Sequence, residues 1–209
     1  MKRLLLVGAI AAVGATPVAA APPTLTLKAS STVVRYGGST TLSGALSTGK
    51  AGQSVDVQAQ ECGQNAFKKV TSVNTTTGGA FSVAVKPTIN TTYQAKQKGA
   101  TSPPVAVKVA PLLSVKKNGG TTVRRFTVTL TSAQSFVGKY VVFQRRGSKA
   151  WRTVKKVTLT TVAPTTAPTQ VTTAKVSVRI ARHPKVRVLL PAAQAGTCYL
   201  PATSAAVRS

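Results

Sequence analysis

The chain has 209 residues, and its 28 Lys and Arg residues against 2 acidic residues and 1 His give a formal net charge of +26. The acids, Asp56 and Glu61, are too few for glycosidase chemistry or for oxygen-ligand cation sites, and one histidine with Cys62 and Cys198 cannot furnish a zinc site. Composition therefore predicts a protein that is not an enzyme and that holds no metal ion or cofactor.

Residues 1–20 have the order of a secretory signal peptide. Lys2 and Arg3 form a basic start, residues 4–15 are an almost unbroken apolar run, and small residues follow with a cleavage site near Ala20. The apolar run is shorter than the roughly 20 residues that span a bilayer. We therefore expect a secreted, extracellular protein whose mature chain has no transmembrane segment.

The sequence from residue 22 to residue 110 predicts β-strands. It shows no run at the helical period, but short stretches rich in Val, Thr, Leu and aromatic residues alternate with Gly, Pro and Asn. Seven strands are predicted, at 25–29, 40–46, 55–57, 67–73, 81–85, 93–95 and 105–109. This number of short strands in a segment of this length is typical of an antiparallel β-sandwich.

The second half repeats the pattern. Its predicted strands lie at 113–115, 126–130, 141–143, 151–157, 176–180, 186–188 and 205–207. Residues 67–73 and 151–157 both read aromatic-x-x-Val-x-x-Val, and residues 52–58 match 138–144 just upstream. Two matched blocks in the same order predict a tandem duplication. We place domain 1 at 21–110, the linker at Ala110–Pro111 and domain 2 at 111–209.

The two predicted copies differ in two segments. Residues 160–173 are rich in Thr and Pro and have no counterpart in domain 1, so they predict a flexible inserted loop in domain 2. The turn at 61–65 in domain 1 is two residues longer than its match.

Several residues of domain 1 resemble the bacterial immunoglobulin-like domains found in tandem in secreted and cell-surface proteins. Gly78-Gly79 precede Ala80-Phe81-Ser82-Val83, and Thr91-Thr92-Tyr93 enter the sixth predicted strand. The resemblance implies an all-β fold of two tandem immunoglobulin-like antiparallel β-sandwiches, and it implies no catalytic residues. Tyr93 is either a tyrosine whose hydroxyl fastens a loop or an ordinary strand aromatic. The chain departs from the antibody pattern because neither domain has its own cysteine pair around a core tryptophan.

Each predicted domain contains one cysteine. Cys62 follows the third strand of domain 1, and Cys198 lies between the sixth and seventh strands of domain 2. In a tandem array the bottom of one sandwich faces the top of the next, which brings both cysteines to the same junction. A Cys62–Cys198 disulfide, a bridge to another chain and free thiols are the three alternatives, and secretion permits the first two.

The charge is uneven. Residues 21–110 hold 9 bases and 2 acids, whereas residues 111–209 hold 17 bases and no acid. One predicted hairpin carries many of them, together with the single tryptophan: Arg145, Arg146, Lys149, Trp151, Arg152, Lys155 and Lys156. These residues form either a solvated face that keeps the protein soluble or a site for anionic polymers. Trp151 aligns with Phe67, which favours a core role over a contact role.

These features predict a secreted, non-catalytic, monomeric protein that serves as a spacer or as an adhesion and binding module at the bacterial cell envelope. Its attachment would be noncovalent, to an anionic wall polymer, a glycan or another surface protein. One alternative is a soluble cationic protein that binds polyanions through domain 2, with nucleic acid as a nonspecific polyanion only. Another is a carbohydrate-binding module, for which a single tryptophan gives little stacking platform.

Overall fold

The computed structural model describes residues 21–180 and 184–209. The predicted signal peptide, residues 1–20, lies outside the described residues. The fold is all-β with several antiparallel sheets, as the sequence predicts. Among the described residues, no helix is both long enough and apolar enough to cross a membrane.

Residues 21–110 form two sheets. Their strands are β1 (Lys28–Ala29), β2 (Val33–Arg35), β3 (Thr40–Ala45), β4 (Ser54–Glu61), β5 (Lys68–Asn74), β6 (Ala80–Val85), β7 (Thr91–Gln97), β8 (Ala100–Thr101) and β9 (Val105–Ala110). One sheet has the order β1–β3–β6, and the other has the order β2–β9–β7–β4–β5, with β8 paired to β7. All neighbours are antiparallel except β2 and β9, which run parallel.

The rest of the chain forms two further sheets. Their elements are β10 (Leu112–Gly119), β11 (Arg124–Ser132), β12 (Tyr140–Arg146), β13 (Trp151–Thr158), β14 (Thr161–Ala163), β15 (Gln170–Val178), β16 (Lys185–Leu190), the short helix α1 (Ala192–Ala195), β17 (Ala202–Thr203) and β18 (Val207–Arg208). The orders are β10–β11–β15–β14 and β13–β12–β16–β17, with β18 also on β16. Among the described strands, no pair joins one that precedes Pro111 to one that follows it.

The core follows from strand alternation, because successive side chains point to opposite faces of a sheet. Phe126 and Val128 on β11 and Phe143 on β12 are fully buried. The rings of Phe126 and Phe143 lie 5.1 Å apart, so the two sheets of the second half pack face to face. Fully burying an apolar side chain of this size contributes about 1.5–3 kcal/mol, which makes this packing the main source of stability.

The matched sequence blocks share one irregularity of strand pairing. The β4–β5 register shifts between Val57 and Gln58, and the β12–β13 register shifts between Phe143 and Gln144. These are equivalent positions of the blocks 52–58 and 138–144. A β-bulge at the same place in both copies supports the proposed duplication, because bulges are local features tied to particular sequences.

The structure gives a role to a third repeated block. The sequence Ala-Thr-Ser-x-x-Val occurs at 100–105 and again at 202–207. The hydroxyl of Ser102 accepts the N–H of Ala95 at 2.9 Å, and the hydroxyl of Ser204 accepts the N–H of Val188 at 3.0 Å. Each serine side chain therefore takes the place of a backbone acceptor and interrupts its strand. For this reason the last short strand predicted near 205–207 is only partly correct: two strands, β17 and β18, flank the interruption, and β18 overlaps the predicted one at Val207.

The prediction that residues 160–173 form a loop is also wrong in part. Thr161–Ala163 form β14, which pairs with Val171, Thr172 and Thr173 of β15. The connecting loop is therefore confined to residues 164–169. Thr and Val favour strands, and pairing along β15 satisfies backbone groups that a loop would leave to water.

Candidate functional site

The predicted basic residues lie on the β12–β13 hairpin, but they do not share one face. Arg146 pairs with Trp151, and Lys156 pairs with Val142. Cross-strand partners lie on the same face of a sheet, and neither Trp151 nor Val142 is part of the buried core. Arg146, Trp151 and Lys156 therefore lie on the outer face, turned away from the sandwich interior.

The other predicted cations lie elsewhere on the hairpin. Arg145 pairs with Arg152, and Lys155 pairs with the buried Phe143. These three basic residues therefore lie off the outer face, and Arg152 and Lys155 are exposed to solvent at the edge where β13 ends the sheet. Lys149 lies in the turn between β12 and β13. The structure thus divides the predicted cluster into two sets and a turn residue.

Trp151 is the centre of the outer set. The guanidinium carbon of Arg187 lies 4.3 Å from the indole centroid, and that of Arg146 lies 5.8 Å from it. Both distances are within the range of cation–π attraction. The indole is half-buried on an outer face, so its assignment to the core is wrong and Trp151 belongs to the surface.

Neighbouring side chains extend this cluster along the sheet. The Nε of Arg187 donates to Oε1 of Gln144 at 2.9 Å. The ammonium of Lys156 lies 4.8 Å from the ring centroid of Tyr140. We define the outer basic face as Tyr140, Gln144, Arg146, Trp151, Lys156 and Arg187.

Sequence reasoning missed Tyr140, Gln144 and Arg187. Arg187 alternates with the buried Val186 and Val188, so its outward position was readable from the sequence. Its place opposite Gln144 depends on the β12–β16 register, which the local sequence does not reveal.

The charges of the outer basic face have no carboxylate partner. No acidic residue occurs after Glu61 in the sequence. In the part of the chain that the structure describes, the one salt bridge joins Lys69 to Asp56 at 2.7 Å, in the first half. That contact and a hydrogen bond from Ser72 hold the pKa of Asp56 below its usual value. The second half therefore presents its cations to external anions without competition from its own side chains.

A disulfide joins the two halves. Cys62, in the turn after β4, is bonded to Cys198, which follows α1, with 5.4 Å between their Cα atoms. The predicted pairing is confirmed, and neither cysteine is free. The bond links positions 136 residues apart, so it closes a loop that includes most of both halves.

Asn90 connects the same region through four hydrogen bonds. Its N–H donates to the carbonyl of Cys198 at 3.0 Å, and its carbonyl accepts the N–H of Cys62 at 2.8 Å. Its Nδ2 donates to the carbonyl of Thr197 at 2.9 Å, while its Oδ1 accepts the N–H of Val109 at 2.8 Å. One side chain and its backbone thus bind both halves beside the disulfide.

Two tyrosines add further links. The hydroxyl of Tyr199 donates to the carbonyl of Thr88 at 3.0 Å and accepts the N–H of Ala133 at 2.9 Å. The hydroxyl of Tyr36 donates to Thr169 at 3.0 Å. Burial raises the pKa of Tyr199 to about 12. We call the Cys62–Cys198 bond and the contacts of Asn90, Tyr199 and Tyr36 the junction.

Tyr93, for which sequence left two interpretations, is buried within β7. Burial and the nearby carboxylate of Glu61 raise its pKa to about 12. The tyrosine whose hydroxyl fastens loops is instead Tyr199, which binds Thr88 and Ala133.

Across residues 21–180 and 184–209, no three His, Cys, Asp or Glu side chains come together in a way that could hold a metal ion. No protein-family model matches the chain, and no curated protein is significantly similar to it.

Proposed function

We propose that the chain is a secreted, non-catalytic protein of two tandem immunoglobulin-like sandwiches, acting as a spacer or adhesion module at the bacterial cell envelope. The junction is the observation that carries this proposal. A covalent bond and side-chain hydrogen bonds hold the halves together, and only Pro111 separates β9 from β10. Such a connection suits a rigid element that holds a binding surface at a fixed distance.

Strand order supports the immunoglobulin-like assignment. In the second half, β10–β11–β15–β14 correspond to strands A, B, E and D of that fold, and β12, β16 and β17–β18 correspond to C, F and G. In the first half, β1–β3–β6 correspond to A, B and E without a described counterpart of β14, while β4, β7 and β9 correspond to C, F and G, with β2 added beside β9. The disulfide supports export, because such bonds persist in oxidising compartments.

Export and envelope association are tested by expressing the full chain in a bacterial host and separating medium, envelope and cytoplasm. We expect the protein in the medium or on the envelope, beginning at Ala21 by mass spectrometry and containing no thiol that can be alkylated. Intact protein that retains residues 1–20 in the cytoplasm contradicts the proposal.

We also propose that the second half binds anionic polymers, because a specific arrangement favours this function. Three cations of the outer basic face, Arg146, Lys156 and Arg187, lie against aromatic rings in a half of the chain that lacks acids. Clustered cations attract a polyanion by releasing its counterions, and this attraction weakens with salt.

The test is retention of the full chain on a heparin column over a salt gradient. We expect elution well below about 1 M salt, where the Debye length is about 3 Å. A variant in which Arg146, Lys156 and Arg187 are all changed to Gln should elute much earlier. Retention that salt or the triple substitution does not change contradicts this second function.

A further inference from the structure

We infer that the outer basic face binds an acidic polysaccharide, a chain of pyranose rings that bear carboxylates, through arginines that Trp151 holds in place. This inference rests on the polyanion-binding function proposed above, and it names the class of ligand. It also assigns Trp151 a role as a positioning residue instead of a surface on which a ligand stacks.

Arg187 presents hydrogen-bond donors in a geometry that suits a carboxylate. Its Nε is occupied by Gln144, and its guanidinium carbon lies 4.3 Å from the indole centroid. The two terminal Nη nitrogens remain as a planar pair of donors. Such a pair matches the two oxygens of a carboxylate, which a lysine ammonium does not. Because the indole and Gln144 already restrict the side chain, binding loses less conformational entropy.

The indole of Trp151 is already engaged by cations of the protein. Two guanidinium groups, from Arg146 and Arg187, already contact this one ring. A nucleobase or a neutral sugar that stacked on the indole face covered by Arg187 would displace that cation and sacrifice an attraction that the protein already has. Trp151 therefore favours recognition through its arginines and disfavours ligands that depend on aromatic stacking.

The surface between the charges is partly apolar. Val142 lies between Lys156 and Leu189 in the sheet, and both Val142 and Leu189 are half-buried on the outer face. Gln144 and Arg187 occupy the next outward row, two residues along each strand, at a spacing of about 7 Å. An apolar strip flanked by cations fits pyranose rings with carboxylates at their edges. A chain of phosphates without rings would leave the strip uncovered.

The test is the affinity of the full chain for polygalacturonate, compared with polyphosphate, single-stranded DNA and a neutral dextran at about 0.15 M salt. We expect polygalacturonate to bind more tightly than the other polyanions at equal charge concentration, and dextran not to bind. Arg187→Lys keeps the charge but loses the paired donors, so it should weaken polygalacturonate binding about tenfold. The same substitution should change polyphosphate binding less than about twofold.

Two further variants separate positioning from general electrostatics. Trp151→Leu keeps the net charge and should weaken polygalacturonate binding about fivefold, whereas Trp151→Phe, which keeps an aromatic face, should retain most of the affinity. Lys175 is exposed on the outer face of the opposite sheet, so Lys175→Gln is the matched control and should cost less than about twofold. Circular dichroism checks the fold of each variant, and Arg187→Lys tests the inference even if Trp151→Leu does not fold.

The outcomes distinguish the two proposals. If no polyanion binds, the polyanion-binding function and this inference both fail. If polyphosphate or DNA binds as tightly as polygalacturonate, or if Lys175→Gln costs as much as Arg187→Lys, the function stands and the inference is overturned. Dextran binding that Trp151→Leu abolishes also overturns it, since the indole would then be a stacking surface.

Discussion

The same sheet position carries different chemistry in the two halves. In the first half, Gln94 donates to Gln58 at 2.8 Å, and Asp56 is paired with Lys69. At the equivalent positions of the second half, Arg187 donates to Gln144, and Val142 replaces Asp56.

The two outer faces share strand register and the bulge beside it, yet one is neutralised by its own carboxylate and the other is basic and partly apolar. Buried alternate residues set the register, so outward residues can change charge without altering the fold.

The largest expected effect comes from removing the disulfide that joins the two halves. Changing both Cys62 and Cys198 to Ser should lower the free energy of unfolding by about 4–5 kcal/mol on the chain-entropy account, since the bond closes a very long loop. The halves should then unfold at different denaturant concentrations. Trp151 is the single tryptophan, so its fluorescence reports the second half, while circular dichroism reports both. Coincident transitions at an unchanged midpoint contradict this expectation.

The next largest effect is the loss of unfolding free energy when a core residue beside the shared bulge is truncated in either half. Phe143→Ala removes a fully buried ring and should cost about 3–5 kcal/mol. Val57→Ala at the equivalent position removes fewer atoms and should cost less. Urea unfolding followed by both signals measures the two losses. A larger loss for Val57→Ala would show that the halves do not share the same core geometry.

Alkaline pH should weaken the first half and the junction together. The pKa values of Tyr93 and Tyr199 are both raised to about 12 in the folded protein. Their contribution is therefore complete below about pH 10 and is lost as the pH rises toward about 12, by about 2–3 kcal/mol for each group.

The measurement is urea unfolding at about pH 9 and about pH 11. Tyr93→Phe and Tyr199→Phe should each reduce the difference between the two conditions. Tyr199→Phe should also lower stability at about pH 9, because it removes two hydrogen bonds at the junction. An unchanged difference in both variants contradicts the assignment of this pH dependence to these tyrosines.

The smallest expected effect exchanges the two outer faces at one position. Val142→Asp gives the second half the carboxylate of the first, opposite Lys156, and should lower the salt concentration at which heparin releases the protein. Asp56→Val should raise that concentration slightly. Both variants should fold normally, because neither position belongs to the buried core. Equal and opposite shifts would show that only net charge matters and that the outer basic face has no special role.

Alternation in the sequence predicted most strands, because buried Val, Leu and Phe at every second position leave a readable pattern. It failed for β2, β8, β14 and β17, since two or three residues are too short to show a period. The repeat at 100–105 and 202–207 was visible in the sequence, but only the hydrogen bonds of Ser102 and Ser204 show what it does.

The candidate site could also be predicted from the sequence only in part. The hairpin and its arginines were predicted from composition, whereas the division into two faces follows from pairing between distant residues. Arg187 is 36 residues from Trp151 along the chain, and only the order β13–β12–β16 brings them together. The Cys62–Cys198 pairing could be inferred from the sequence because the alternating direction of the strands places each cysteine at the end of its half that faces the junction.

The disulfide also orders events during biosynthesis. Cys62 is synthesised 136 residues before its partner, so all strands of the first half can form while its thiol is still unpaired. The bond can close only after β16 and α1 have been made. Closure therefore requires that the second half has reached its place, and a chain cut short before Cys198 would carry an unpaired thiol at Cys62.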